Sequence, residues 1–150
     1  MPTPVLSSTD ALGERPVLGV LRAVAAALTS ATEVVGRRLW ALSEDELGEC
    51  VALTAQVVAA AQAVTAAVVI EADERGAGVQ SALSRTDWVL GAAGSMEAAE
   101  AARLARLARA CREPALAGLR DAVTTGAVGV IKGALIGDLE QEARPLADPA

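Results

Sequence analysis

The chain has 150 residues, enough for one folded domain, and a formal net charge of −6, which argues against a protein that holds nucleic acid over its whole surface. It contains no histidine, which removes the commonest general base and the commonest metal ligand. Cys50 and Cys111, its two cysteines, have the spacing of neither a zinc site nor a disulfide framework. We therefore expect reduced, buried thiols in a cytoplasmic protein that has no catalytic residue, no metal and no cofactor.

The first predicted helix spans residues 16–41. Residues 1–15 before it are rich in Pro, Ser and Thr and are expected to form a disordered segment without a targeting signal. From Val17 onwards, apolar residues recur at every third or fourth position, which is the pattern of an amphipathic helix. The chain has no Phe or Tyr and only two tryptophans, Trp40 and Trp88, so we expect each of them to contribute disproportionately to stability.

The second predicted helix spans residues 44–75 and begins with a capping signature. Ser43 is placed to cap this helix, and Glu46 is placed to reach back to the backbone of Ser43. Apolar and small residues from Leu47 to Val68 continue at alternating spacings of three and four, and glycines from Gly76 end the helix. A helix of this length needs a partner along its surface, which is either the first helix, antiparallel to it, or a second copy of the chain.

Residues 51–70 of this helix are uncharged and form the one candidate for a membrane span. Half of them are Ala or Thr and two are Gln, whereas spanning helices are usually rich in Leu, Ile and Phe. We therefore expect a protein with no membrane contact.

The next two predicted helices are short and are separated by a Gly-Ser break. Ser84 caps a helix over 84–93 that carries Trp88, Gly94 ends it, and Ser95 caps a helix over 95–112. Leucines 104 and 107 share one face of this latter helix. The opposite face carries four arginines, namely Arg103, Arg106, Arg109 and Arg112.

Two further helices complete an all-α prediction. Pro114 starts a helix over 114–125, and Gly126 ends it. The last helix, over 127–142, carries three glycines on one face, Gly129, Gly133 and Gly137, which predicts close approach by another helix. We thus expect a single helical domain over 16–142, in which two long helices pack with shorter ones, followed by a flexible tail over 143–150.

Several segments in this order carry a family resemblance over residues 42–139. They are Leu42-Ser43-Glu44-Asp45-Glu46-Leu47, Thr86-Asp87-Trp88-Val89-Leu90, the Gly-Ser break, Arg103-Leu104-Ala105-Arg106-Leu107-Ala108-Arg109-Ala110, Pro114-Ala115-Leu116 and Gly126. In these segments the chain resembles the domain of unknown function 222 family, also called the 13E12-repeat family. In actinobacterial proteins this domain commonly lies N-terminal to an HNH endonuclease domain.

The resemblance implies a helical N-terminal module without the nuclease of its relatives. The chain ends where the nuclease half of the family would begin, and no histidine is present for HNH chemistry, so the nuclease activity does not carry over. The chain also has Gly129 where the family usually has a serine. We expect a stand-alone or truncated, non-catalytic module that binds no small molecule.

Two functions remain open for this module. The first is DNA association through a helix-turn-helix-like segment over 84–131, with Ser95 and Met96 at the start of the recognition helix. The candidate DNA-contacting residues are Ser95, Arg103, Arg106, Arg109 and Arg112. The alternative for the arginines is a solvated face paired with Glu97, Glu100 or Glu113.

The second function is a helical interaction module that forms a homodimer or binds a partner helical protein. Its surfaces are the long second helix and the face of Gly129, Gly133 and Gly137. The alternative is that the same surfaces pack within the chain.

Overall fold

A computed structural model describes residues 16–147, with side chains from 16 to 144, and this part of the chain is helical without a strand. The all-α prediction is confirmed, and the predicted disordered segment 1–15 lies outside the described residues. The α-helices of the described part are α1 Pro16–Arg38, α2 Glu44–Glu74, α3 Arg85–Ala93, α4 Ala98–Ala110, α5 Leu119–Thr124 and α6 Val130–Ala147. Short 3-10 turns lie at Leu39–Ala41, Val79–Ser81 and Pro114–Leu116.

The chain divides into two compact units, Met1–Val51 and Ala52–Ala150, and each is described by itself. The single domain expected over 16–142 stays a prediction. In the first unit, no residue of α1 is buried. Trp40 follows α1 in a 3-10 turn, is 87% exposed and donates its Nε1–H to the carbonyl of Arg37 at 3.2 Å. Trp40 therefore contributes no buried ring to a core.

The start of α2 has the predicted capping box. The amide N–H of Ser43 donates to Oε2 of Glu46 at 2.7 Å, and the amide N–H of Glu46 donates to Oγ of Ser43 at 3.3 Å. These bonds satisfy two backbone donors that a helix start otherwise leaves open. They also lower the pKa of Glu46, because they stabilise its ionised form.

The core of the second unit is built around α4. Val69 and Ile70 of α2, Leu104 and Leu107 of α4 and Val123 of α5 are at most 7% exposed. The ring of Trp88 is half-buried against this core and lies over Gly78, whose φ of +86° is left-handed backbone. A Cβ at Gly78 would stand 3.2 Å from the Trp88 side chain, so only glycine fits this turn without a shift.

Two of the three predicted glycines lie where helices approach closely. A Cβ at Gly133 would lie 2.9 Å from Leu107 and from Val123, and a Cβ at Gly137 would overlap that of Ala110. Gly129 precedes α6 and has open space around it. The predicted close approach is thus confirmed for Gly133 and Gly137, and it occurs within the chain, so this face is already covered by α4.

Several predicted helix boundaries are wrong. Helix α4 begins at Ala98 instead of Ser95, because the chain needs the four residues after α3 to reverse direction: Gly94 has φ +68°, and Ser95 donates its N–H to the carbonyl of Ala93 at 2.7 Å. Ser95 is therefore not the cap of α4. The cap position is Glu97, whose side chain makes no capping bond.

The later boundaries also differ from the prediction. Helix α4 ends at Ala110, and the predicted helix over 114–125 splits into the 3-10 turn Pro114–Leu116 and α5, with Gly118 between them. Helix α6 begins at Val130 and runs to Ala147, beyond the expected end at 142. Gly126, with φ +77°, ends α5 as predicted.

Candidate functional site

The four predicted arginines do not all lie opposite the buried leucines of α4. At about 100° per residue, Arg106, Arg109 and Arg112 lie on the side away from Leu104 and Leu107. Arg103 lies close to Leu107 around the helix and lines a cavity together with Leu104. Two of the four arginines form ion pairs, each with a different aspartate. Nε of Arg106 lies 3.6 Å from Oδ1 of Asp138 on α6, and Nη1 of Arg112 lies 3.4 Å from Oδ2 of Asp73 on α2. Among the described residues, Arg103 and Arg109 have no ion pair within 4 Å.

The partners of the paired arginines differ from those predicted. Glu97, Glu100 and Glu113 are not bound to the arginines of α4, and Glu113 pairs instead with Arg144 of α6. The acids that do bind, Asp73 and Asp138, come from other helices, and only the fold brings them to α4. The local excess of positive charge in the sequence is therefore partly neutralised in space.

Asp73 is the functional candidate that sequence analysis missed. Its side chain is 4% exposed, and its two carboxylate oxygens are held by different arginines, Oδ1 by Nε of Arg85 and Oδ2 by Nη1 of Arg112. One signal was present in the sequence, because Asp73 continues the spacing of the buried residues Ala66, Val69 and Ile70 on the apolar face of α2. A carboxylate at such a position requires a cationic partner.

A cavity of about 320 Å³ lies beside this ion-pair network. Its walls come from the end of α2, the turn after it, the start of α3 and the end of α4. Arg85, Arg109 and Arg112 line it together with the carboxylate of Asp73, so its lining carries three cations and one anion. Arg103 lies apart from this group and lines a different cavity, of about 280 Å³, near Val58 and Ile131.

The remaining predicted site residue, Ser95, is exposed in the turn between α3 and α4. Met96, predicted beside it at the start of a recognition helix, is half-buried against the core. Helix α4 itself buries Ala101, Leu104 and Leu107, so its free surface is narrow. Ser95 and Met96 thus precede the first turn of α4, which begins at Ala98.

A second ion-pair cluster anchors α5 to the end of α2. Arg120 of α5 places Nη2 at 3.2 Å from Oε2 of Glu71 and also contacts Glu74. Arg75 and Arg120 lower the pKa of the Glu71 carboxyl, because both cations favour its ionised form. Cys111 lies half-buried nearby, and this burial raises the pKa of its thiol.

Apolar side chains are also exposed on the long helices. On α2, Val57, Val64 and Val68 are between 43% and 47% exposed. At about 100° per residue these three valines lie on the side of the helix opposite to Ala66 and Ile70, which face the core. Because both faces are apolar and only one is covered, we name the uncovered row of Val57, Val64 and Val68 the α2 seam.

By length and composition alone, two helical stretches are also long and apolar enough to cross a membrane, namely Pro16–Ala41 and Glu44–Glu74. The described residues contain no cluster of three or more potential metal ligands. Comparison with protein-family models, with curated proteins and with solved structures finds no match.

Proposed function

We propose that the chain is a non-catalytic helical interaction module that self-associates through the α2 seam. The observation that carries this proposal is the exposure of Val57, Val64 and Val68 on a helix whose opposite face is already packed into a core. A helix that is apolar all round is stable in water only when its whole surface is covered. A partner helix is the natural cover for a regular row of exposed valines.

A second copy of the same chain fits the α2 seam better than a charged partner does. Residues 51–70 carry no charge, so two copies of this stretch approach each other without repulsion and without burying an unpaired charge. The residues from Leu47 to Val68 alternate spacings of three and four, which is the repeat of a two-helix seam. In the same row, Thr54 precedes Val57 and Ala61 lies between Val57 and Val64. These smaller side chains allow a second helix to approach closely.

Sedimentation equilibrium from micromolar to millimolar protein tests this proposal. We expect a monomer–dimer equilibrium in the native chain and a monomer in the Val64→Glu variant, because the new carboxylate would lie buried in the interface. Leu139→Glu is the matched control, since Leu139 is 64% exposed and belongs to a different helix, α6. A monomer at every concentration of the native chain contradicts the proposal, as does equal dissociation in both variants.

Nucleic-acid association is the second candidate function, and the unpaired state of Arg103 and Arg109 favours it. Both arginines lie on α4 within the segment proposed to contact DNA. If only these two contact phosphates, the log–log salt dependence of binding has a slope of about −1.8, whereas four contacts give about −3.6. Titration of the chain into labelled duplex at about 50 mM salt measures the slope, and flat anisotropy at high protein concentration excludes this function.

Membership of the domain of unknown function 222 family is proposed on the same segments. The capping box at Ser43 and the cap of Ser84 on α3, in which Oγ accepts the N–H of Asp87 at 3.1 Å, support the alignment of its first two motifs. The structure of a family member through residues equivalent to 42–139 tests it. A relative with a different order of helices would contradict the resemblance.

A further inference from the structure

We propose that the cavity beside Asp73 binds a small phosphate-type anion. Three arginines line this cavity against one carboxylate, so its local charge is positive in a chain whose net charge is −6. Its volume of about 320 Å³ is at the lower end of the range for small-molecule sites and suits inorganic phosphate, pyrophosphate or a small organic phosphate.

The buried carboxylate of Asp73 gives this site its fixed geometry. It holds Nε of Arg85 and Nη1 of Arg112 from its two oxygens, and its side chain is 4% exposed. Each guanidinium has five N–H donors, so one bond to Asp73 leaves donors available on both arginines. Their side chains are 43% and 53% exposed, which keeps them accessible to a ligand.

Arg109 supplies a third cation, which is not paired with Asp73. It lies one helical turn before Arg112, lines the same cavity and has no ion pair among the described residues. Oriented guanidinium groups bind phosphate through paired, charge-assisted hydrogen bonds. Two arginines that Asp73 has already oriented therefore lose little conformational freedom when the anion binds, and Arg109 raises the net charge of the four groups from +1 to +2.

Two hydroxyl-bearing residues complete the lining of the cavity. Ser84 and Thr86 lie at the start of α3, where the helix dipole favours an anion. The hydroxyl of Ser84 already donates to Oδ2 of Asp87 at 2.6 Å, so Thr86 is the residue that offers a hydroxyl to a ligand. The backbone at the end of α2 makes its own bonds, since Gly76 donates to the carbonyl of Asp73 and Ala77 donates to that of Ala72.

Isothermal titration calorimetry of the full chain with inorganic phosphate and with pyrophosphate tests the proposal. We expect saturable binding at one site per chain, and a loss of affinity of about tenfold in Arg109→Ala, which removes a charge-assisted hydrogen bond. Arg103→Ala is the matched control, because it removes the same charge from the same helix outside the cavity. We expect it to bind like the native chain.

Absence of saturable binding of either probe by the native chain overturns the proposal, and so does an equal loss in both arginine variants. If duplex DNA loses affinity in Arg109→Ala while neither phosphate nor pyrophosphate binds, the arginine belongs to a nucleic-acid surface and the small-anion site is rejected. The site is independent of self-association, so we expect the Val64→Glu variant to retain phosphate binding whatever its oligomeric state.

Discussion

The carboxylate of Asp73 shows how one side chain joins three helices. It lies at the end of α2, and its arginine partners stand at the first residue of α3 and just after α4. A buried carboxylate is stable in its ionised form only while such partners remain. Asp73 therefore has two effects in the second unit. It holds the ends of α2 and α4 and the start of α3 together, and it offsets part of the positive charge of the cavity.

At the residue scale, we expect Arg112→Leu to destabilise the protein by about 1–2 kcal/mol. The variant leaves a buried carboxylate with one partner, and the half-exposed position of Arg112 reduces the cost below that of a fully buried pair. Urea unfolding followed by circular dichroism measures it. In the control, Arg106→Leu, the lost pair with Asp138 is half-exposed on both sides, so we expect about 0–1 kcal/mol. Equal costs contradict the buried role of Asp73.

The stability that the capping box of Ser43 and Glu46 gives to α2 depends on pH. The bond from the Ser43 backbone holds the pKa of Glu46 below its ordinary value of 4.5. A depressed folded pKa means that the cap contributes stability above the ordinary pKa and loses it as the pH falls through the lower folded value. We therefore expect Glu46→Gln to lower Tm at about pH 7 and to match the native chain near about pH 2.

Differential scanning calorimetry of both proteins across this pH range gives the comparison. Glu44→Gln is the control, since Glu44 lies in the same first turn of α2 and takes no part in the capping box. A Tm difference for Glu46→Gln that persists unchanged in acid would show that the bond depends on something other than the ionised carboxylate.

The contact of α4 with α6 requires a small residue on each helix, Ala110 on α4 and Gly137 on α6. In Gly137→Ala the new methyl group would overlap the methyl group of Ala110. The Ala110 methyl group is attached directly to the backbone, so it cannot move aside as the end of a long side chain does. We expect it to destabilise the protein by about 1–3 kcal/mol, although alanine is the better helix former. Gly91→Ala on α3 is the control, because nothing lies within 4 Å of its added Cβ. Thermal unfolding compares the two.

A neutral or stabilising effect of Gly137→Ala would mean that α6 lies further from α4 than the structure places it. We expect Gly91→Ala to be neutral or to stabilise by up to about 1 kcal/mol, the difference in helix propensity. The opposite signs of the two substitutions separate close packing from propensity, since both replace a helical glycine by alanine.

Local signals in the sequence predicted the helix starts and stops that depend on neighbouring residues. The caps at Ser43 and Ser84 and the stops at Gly76, Gly94 and Gly126 use bonds that span a few residues, so they are readable from spacing. The start of α4 was wrong because the reversal between α3 and α4 needs residues through Glu97, which tertiary packing decides.

The candidate site was less predictable than the helices, for a physical reason. The arginines of α4 were found from their spacing, but Arg112 binds an acid 39 residues earlier in the chain. Local charge counts carry no information about contacts of this separation. Asp73 itself was visible only as a carboxylate on the apolar stripe of α2, a signal that indicates a partner without identifying it.

The exposed apolar surfaces of α1 and α2 need a cover, which is either another helix in water or the lipid of a membrane. Helices α1 and α2 meet the length and composition of a span, while residues 51–70 contain many Ala, Thr and Gln residues. Alanine and threonine gain much less from lipid than leucine or isoleucine does, so we expect a partner helix, and not a bilayer, to cover this surface. The cytoplasmic location stays a prediction.

Flotation of the chain with neutral and with anionic lipid vesicles tests this choice. We expect the native protein to remain in the aqueous fractions with either lipid, because the proposed dimer would cover the exposed Val57, Val64 and Val68. The Val64→Glu monomer is expected to remain there too, since a carboxylate in the middle of residues 51–70 opposes insertion by about 2.5–3.5 kcal/mol. Native chain that floats with vesicles while Val64→Glu stays in solution would identify lipid, and not a second copy, as the cover of the seam.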